Sequence, residues 1–291
     1  MSGSGAARPM TRPLTRPRSR RRGSRGNLRA RLGTGLILGL VLLALLASRI
    51  APHAPNAQDL LHSQQPPAWL PEGTWTNLLG TDHLGRDVLS RLIYGTRVSL
   101  IVGAGGVLVA LGLGLSMGLV AGYLRGWVEE VAMRLCDVQL SLPYLLFVIA
   151  IVGVLGPSLG NVVLVFGIAD FPLFARMTRG EALRLRAAPF VEAAVATGAS
   201  QRRILVRHVL PNMAGVLAVV AAFEMAAMII YEAGVGFLGL SVPPTVPSWG
   251  NMLADGRNYL TTSWWIATFP GVAILAATLG INLMGDWLRR R

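Results

Sequence analysis

Uncharged apolar runs dominate this chain and decide what it can fold into. Leu32 to Ser48, Val98 to Leu124, Val138 to Ala169 and Thr261 to Gly285 carry no charged side chain, and Met213 to Tyr231 is interrupted only by Glu224. A helix needs roughly 20 consecutive apolar residues to cross a bilayer. The run from Val138 is too long for one crossing, and Gly156-Pro157-Ser158-Leu159-Gly160 offers a turn that divides it. Six spans result. With 53% hydrophobic and 14% charged residues, a soluble domain is excluded. An all-α, multi-pass membrane protein is expected, because only helices or closed barrels satisfy their backbone polar groups in lipid.

Orientation is read from arginine, since all 27 basic residues are Arg. Ten of them precede Leu32 with no acid among them, seven lie between Arg176 and Arg207 against Glu181 and Glu192, and the chain ends Arg289-Arg290-Arg291. The positive-inside rule puts all three regions in the cytoplasm, and six spans satisfy all three at once, with both termini cytoplasmic. The short, charge-balanced Arg125 to Asp137 connection then falls inside. Gly156 to Gly160 and the segment from Glu232 to about Leu260 fall outside. Residues 1–31 read as a disordered, Arg-rich tail near anionic lipid headgroups. A nucleic-acid arm is the competing reading. A cleaved signal peptide would leave five spans and break the parity.

Missing residues exclude chemistry. Without lysine there is no P-loop lysine, so the chain is not a nucleotide-hydrolysing subunit. Cys136 has no partner for a disulfide or a cysteine metal cluster. His53, His62, His83 and His208 lack ligand-type spacing, and no nucleophile–base set stands out. No enzyme activity, metal or cofactor is expected in this chain.

Several features between the runs matter. Pro52 to about Gly80 reads as an external loop lying against the membrane. Leu78 to Leu100 has apolar residues at Leu84, Val88, Leu89, Leu92 and Ile93, the spacing of an amphipathic lead-in helix, with Asp87 and Arg91 as an i,i+4 pair. Gly106, Ala110, Gly114, Gly118 and Gly122 recur every fourth position in span two, a small-residue face on which a neighbouring helix can pack closely. Asp137 is expected near the N-terminus of span three, where the helix dipole favours it. Span four, about Asn161 to Ala175, is expected to be short and kinked at Pro172, with Asp170 inside it. Glu224 lies mid-span and Glu232 eight residues later on roughly the same face. A carboxylate at that depth costs at least ~2.5–3.5 kcal/mol. It either lines a translocation path or is held at a helix–helix contact.

The segment from Pro189 to Asn212 reads P-F-V-E-A-A-V-A-T-G-A-S-Q-R-R-I-L-V-R-H-V-L-P-N. It predicts two short helices joined at Gly198, the second running from about Ser200 toward Leu210, before Pro211 opens the next span. Arg202, Arg203 and Arg207 lie on the second helix, which gives a knob suited to a partner's groove; an ordinary basic cytoplasmic loop is the alternative. Glu192-Ala193-Ala194, Gly198 and Leu210-Pro211 resemble the signature of permease subunits of binding-protein-dependent ATP-binding-cassette importers, with His208 where that pattern has an apolar residue. G-T-D-H-L-G-R-D-V at Gly80–Val88 resembles the dipeptide and oligopeptide branch of those permeases. So does E-A-G-V-G-F-L-G-L-S-V-P-P-T-V-P-S-W-G from Glu232, which includes Phe237.

The resemblance implies a type I importer permease in the bacterial cytoplasmic membrane. A first span with external segment and lead-in helix would occupy 32–95, and a five-helix core 96–291 would hold a coupling loop at about 176–211. Glu192, Ala193, Ala194, Gly198, Arg202, Arg203, Leu210 and Pro211 would contact an ATPase. Glu224, Glu232, Asp170 and Phe237 would line the path or its gate. Implied partners are a second related permease, two ATPase subunits or domains that bind ATP and Mg, an external substrate-binding protein and the lipid bilayer, but no nucleic acid. Di- or oligopeptides, nickel chelates or haem are the implied cargo. A stand-alone secondary transporter is the alternative, although the internal repeat expected of one is not evident.

Overall fold

The computed structural model describes residues 23–290, with side chains from residue 31 onward. Most of the Arg-rich tail therefore lies outside the described residues. The described residues form an all-helical bundle: α1 (Gly23–Ile50), α2 (Val88–Leu124), α3 (Gly126–Leu140), α4 (Tyr144–Leu155), α5 (Leu159–Arg186), α6 (Pro189–Ala196), α7 (Gln201–Ile204), α8 (Leu210–Phe237), α9 (Trp249–Gly256) and α10 (Trp265–Leu288). Five helical stretches are long and apolar enough to cross a membrane, and α3 with α4 makes a sixth, broken one.

The small-residue face of α2 is the centre of the bundle. A methyl added at Gly114 would lie 2.4 Å from Phe174 Cβ, and one at Gly118 would lie 2.4 Å from the Ala175 carbonyl oxygen. At Gly122 it would meet Ala182 Cβ at 2.9 Å, and at Gly106 Met228 Sδ at 2.7 Å. Ala110 between them is fully buried. α5 thus lies along the glycine groove, and α8 joins it at the Gly106 end. Close backbone approach replaces the hydrophobic driving force that lipid cannot provide. α1 is peripheral and mostly exposed; it seats Gly33 against the carbonyl of Gly280 in α10.

Spans three and four depart from expectation. α3 starts at Gly126, so the Arg125–Asp137 connection is helical and forms the first half of span three. Asp137 lies in the last turn of α3, not at a helix start, and pairs with Arg176 of α5. The chain then breaks at Ser141–Leu142–Pro143, and α4 leaves at 86° to α3. Proline has no amide hydrogen and disfavours helix in the residue before it, which accounts for the break. Span four is longer than expected. α5 runs 28 residues and continues without a break past Pro172.

At one end of the bundle, residues 52–87 and 238–264 fold over each other as a cap. No lead-in helix exists. Residues 80–87 instead form a tight loop closed by a bridge between Thr81 and Asp87, and α2 begins only at Val88. The expected Asp87–Arg91 pair is not made. Asp87 caps α2 by accepting the Ser90 amide at 2.8 Å and also accepts from Asn77 at 3.1 Å. Arg91 turns instead to Asp255 of α9 at 3.1 Å and to Asp82 at 3.6 Å, while Arg86 bonds Asp82 at 2.6 Å and Asp255 at 2.8 Å. Arg91 is 1% exposed and Asp82 2%, so two arginines and one aspartate are enclosed where an amphipathic helix would leave them wet.

Other contacts pin the same cap. Trp265 donates to the Thr81 carbonyl at 3.0 Å, Trp249 to the Leu92 carbonyl at 3.1 Å, and Ser263 to Gln64 at 2.9 Å. Asn251 donates to the Val242 and Pro243 carbonyls at 3.1 and 3.3 Å, fixing the proline-rich loop before α9. At the solvent edge the His62 hydrogen bond, 2.7 Å long, holds the Asp59 carboxyl below its usual range.

Candidate functional site: a protruding knob and a buried polar cluster

The opposite end of the bundle is where α2 and α5 finish. Arg186 donates to the Tyr123 carbonyl at 3.1 Å there, and the chain continues into α6. Pro189 occupies the first turn of α6, where its missing amide hydrogen costs nothing. The helix ends at Ala196, and Gly198 follows at φ +78° with no atom within 4 Å of a Cβ placed on it. Glycine is required there by backbone conformation alone. Ser200 caps α7 by accepting the Arg203 amide at 3.4 Å.

The second knob helix is not a separate element. After Ile204 it widens into a π turn, Leu205–Val209, and enters α8 without a break, so residues 201–237 form one apolar helical stretch. π turns inside α-helices occur often at functional sites. His208 lies within this turn, and its carbonyl accepts from Asn212 at 2.6 Å. Pro211 occupies the first turn of α8 next to Leu210.

Glu192, Ala193, Gly198, Arg202, Arg203 and Pro211 are exposed, and Ala194 and Leu210 half-buried. Phe190, Val195 and Val206 are 42%, 53% and 61% exposed beside them. Val191 and Ile204 are buried beneath and anchor the knob to the bundle. An apolar surface flanked by arginines on a compact protrusion suits a protein groove better than open water.

Of the four residues predicted for the path or gate, two come together. Asp170 of α5 and Glu224 of α8 are half-buried and close enough to interact electrostatically. The other two lie toward the cap. Glu232 is fully buried and accepts from Ser241 at 2.9 Å and Ser99 at 3.4 Å, tying α8 to α2 and to the loop before α9. Phe237 ends α8, 40% exposed, with the Arg257 guanidinium 5.8 Å from its ring centre.

Sequence reasoning missed two side chains beside Asp170 and Glu224, namely Tyr144 and Tyr231, whose ring centres are 4.6 Å apart. Both sit in runs read only as apolar. The proline immediately before Tyr144 was the available signal that the backbone there is irregular.

Three groups in the cap, Asp82, His83 and Asp255, bring ligand-type atoms within 4.8 Å of one another. Arg86 and Arg91 already bond both carboxylates, and two guanidinium charges there oppose a cation. The donor set fits an ion-pair network, not a metal centre.

Five long apolar helices and a bent helix pair that would make a sixth crossing, with a protruding helix pair at one end and a closed cap at the other, define a multi-pass membrane protein. The chain matches the family of binding-protein-dependent transport system inner membrane components over residues 114–291. It also matches the N-terminal transmembrane domain of oligopeptide transport permease C over residues 25–67. It belongs to the first family.

Among similar proteins, the di/tripeptide transport system permease protein DppC of Pseudomonas aeruginosa is 43% identical over 84% of this chain and 81% of its own length. The dipeptide permease protein DppC of Haemophilus influenzae is 38% identical, covering 85% and 84%. The glutathione permease protein GsiD of Pectobacterium atrosepticum is 41% identical, covering 72% and 70%. A chain of the methionine ABC transporter MetNI, solved in an inward-facing conformation, superimposes with a TM-score of 0.57 at 19% identity, covering 69% of this chain and 96% of that one. The fold is that of a type I importer permease, and the family favours it over a stand-alone secondary transporter.

Proposed function

We propose that this chain forms one half of the translocation path of an ATP-driven importer in the bacterial cytoplasmic membrane and carries short peptides. A second, related permease completes the path. Two ATP-binding-cassette subunits or domains bind ATP and Mg and hydrolyse the nucleotide, and an external binding protein delivers cargo to the cap. Peptide cargo is supported by the di/tripeptide, dipeptide and glutathione permeases among the relatives; nickel chelates and haem are the related cargoes to test beside it. The arginine asymmetry supports a cytoplasmic knob, with both termini on that side.

One observation carries the coupling assignment. The exposed α6–α7 knob is continuous, through the π turn, with the helix that bears Glu224. A displacement of the knob by an ATPase is therefore transmitted along one rigid element to the membrane interior. Gly198 is the sensitive point, because a β-branched residue at φ +78° is a strong outlier. Gly198→Val is expected to leave the spans assembled while abolishing copurification of the ATPase or cargo-stimulated hydrolysis in liposomes; wild-type values for both would remove the coupling role. Orientation is tested on a Cys136→Ser background. Cysteine at Ser200 should be protected from an impermeant thiol reagent in intact cells and cysteine at Gln64 should react, and the opposite pattern would invert the topology.

A further inference from the structure

We propose that Tyr144, Asp170, Glu224 and Tyr231 form a site inside the path for an organic ammonium group, the α-ammonium of a short peptide. The proposal rests on the importer reading and names what its path recognises. Three spans converge to build the site. Phe166 and Asp170 are four residues apart and share a face of α5. Glu224 and Tyr231 are seven apart and share a face of α8, separated by about 10 Å along the helix. Tyr144 bridges the two faces, with its ring centre 6.1 Å from Phe166 and 4.6 Å from Tyr231. It is the first residue after the 86° break between α3 and α4. Irregular backbone at membrane depth is tolerated only where it is buried in protein or lines a water-filled cavity, and Tyr144 is only half-buried.

The chemistry lacks one component. The Tyr144 hydroxyl and Asp170 Oδ2 are shielded from solvent and have no hydrogen-bond partner. Neither Asp170 nor Glu224 enters any ion pair among the described residues. Acids of the same chain that lie near arginines, such as Asp137 and Glu129, do pair with them. An ammonium supplies three N–H donors for the three acceptor groups present, two carboxylates and a phenol. Tyrosine ring faces attract an alkylammonium, a contact that a hard divalent ion held by oxygen ligands does not use. The helix dipoles at the break offset each other, since α3 ends and α4 begins there.

The test is equilibrium binding of radiolabelled dialanine and N-acetyl-dialanine to the detergent-solubilised complex prepared without its binding protein, together with uptake of dialanine into liposomes with the binding protein present. Dialanine should bind at least tenfold more tightly than the acetylated peptide, and Asp170→Asn with Glu224→Gln should bring the ratio close to one. Tyr144→Leu should lower the ratio several-fold and Tyr144→Phe should restore only part of it, since the ring face remains and the hydroxyl acceptor is lost. Because each ratio is taken within one preparation, differences in the amount of assembled complex cancel. Equal binding of the two peptides to wild type, as expected of a site for an inorganic cation, overturns the proposal. A ratio unmoved by the carboxylate variants also overturns it. Absence of dialanine uptake by wild type would instead remove the peptide-importer reading itself.

Discussion

The two ends of this bundle solve opposite problems with the same residue types. Gly85 in the cap and Gly198 in the knob both have positive φ, +70° and +78°. A methyl on Gly85 would lie 1.8 Å from the Asp59 carbonyl oxygen, whereas one on Gly198 would meet nothing within 4 Å. Arginines divide the same way. Arg86 and Arg91 are enclosed with aspartates from two segments, while Arg202 and Arg203 stand in solvent. The cap is a structure closed on itself, and the knob leaves its arginines and apolar side chains open to solvent. Charge alone therefore does not mark a docking surface; what matters is whether the chain has already satisfied it.

The largest effect that would sharpen this contrast comes from Arg91. Arg91→Met leaves the buried Asp82 and the partly exposed Asp255 with one guanidinium between them. Breaking a buried pair from one side costs about 3–5 kcal/mol. The solubilised protein should melt well below wild type. A melting temperature within two or three degrees of wild type would show that the cap is not the stabilising closure described.

Next comes the glycine pair. Gly85→Val suffers both the positive-φ penalty, roughly 1–2 kcal/mol, and collision with backbone, and should fail to accumulate in membranes. Gly198→Val suffers only the first, in an exposed turn, and should be recovered at wild-type yield. Equal yields would erase the distinction between the two ends. A smaller effect is expected on the packed face of α2. Gly118→Val presses on Ala175 and Thr178 and should cost about 1–3 kcal/mol, the usual range for overpacking. Gly112→Val, whose Cβ would point into open space, should be close to neutral. Thermal denaturation of the two variants side by side decides whether the packed face is the one described.

Much of this was legible in the chain. The apolar runs gave the crossings because backbone satisfaction in lipid leaves few options. The four-residue recurrence from Gly106 to Gly122 marked the face that α5 covers, since periodicity within one helix is a local property. Gly198 between two short helix-forming segments was legible for the same reason. The cap was not, because its pairs join residues 164 and 169 positions apart, and nothing local distinguishes Arg91 bonded to Asp255 from Arg91 bonded to Asp87. The break before Tyr144 was signalled by Pro143, but the uncharged run around it read as continuous helix. Tyr144 and Tyr231 were counted as apolar filler because a hydroxyl's lack of a partner cannot be seen in one dimension.

The distance along the chain between the cap's partners also sets an order of assembly. Arg86 and Arg91 emerge with the second crossing, and Asp255 follows 164 residues after Arg91, behind three further crossings. Until α9 arrives, the two arginines share Asp82 alone, and the cap end of α2 is left unfinished. Contacts this remote are made late, after the loop entropy of everything between them has been overcome. The cap is therefore closed only once α9 is in place. A chain that stalls or is cut short before α9 presents an open, charged end, which sets it apart from the finished subunit before any partner is met.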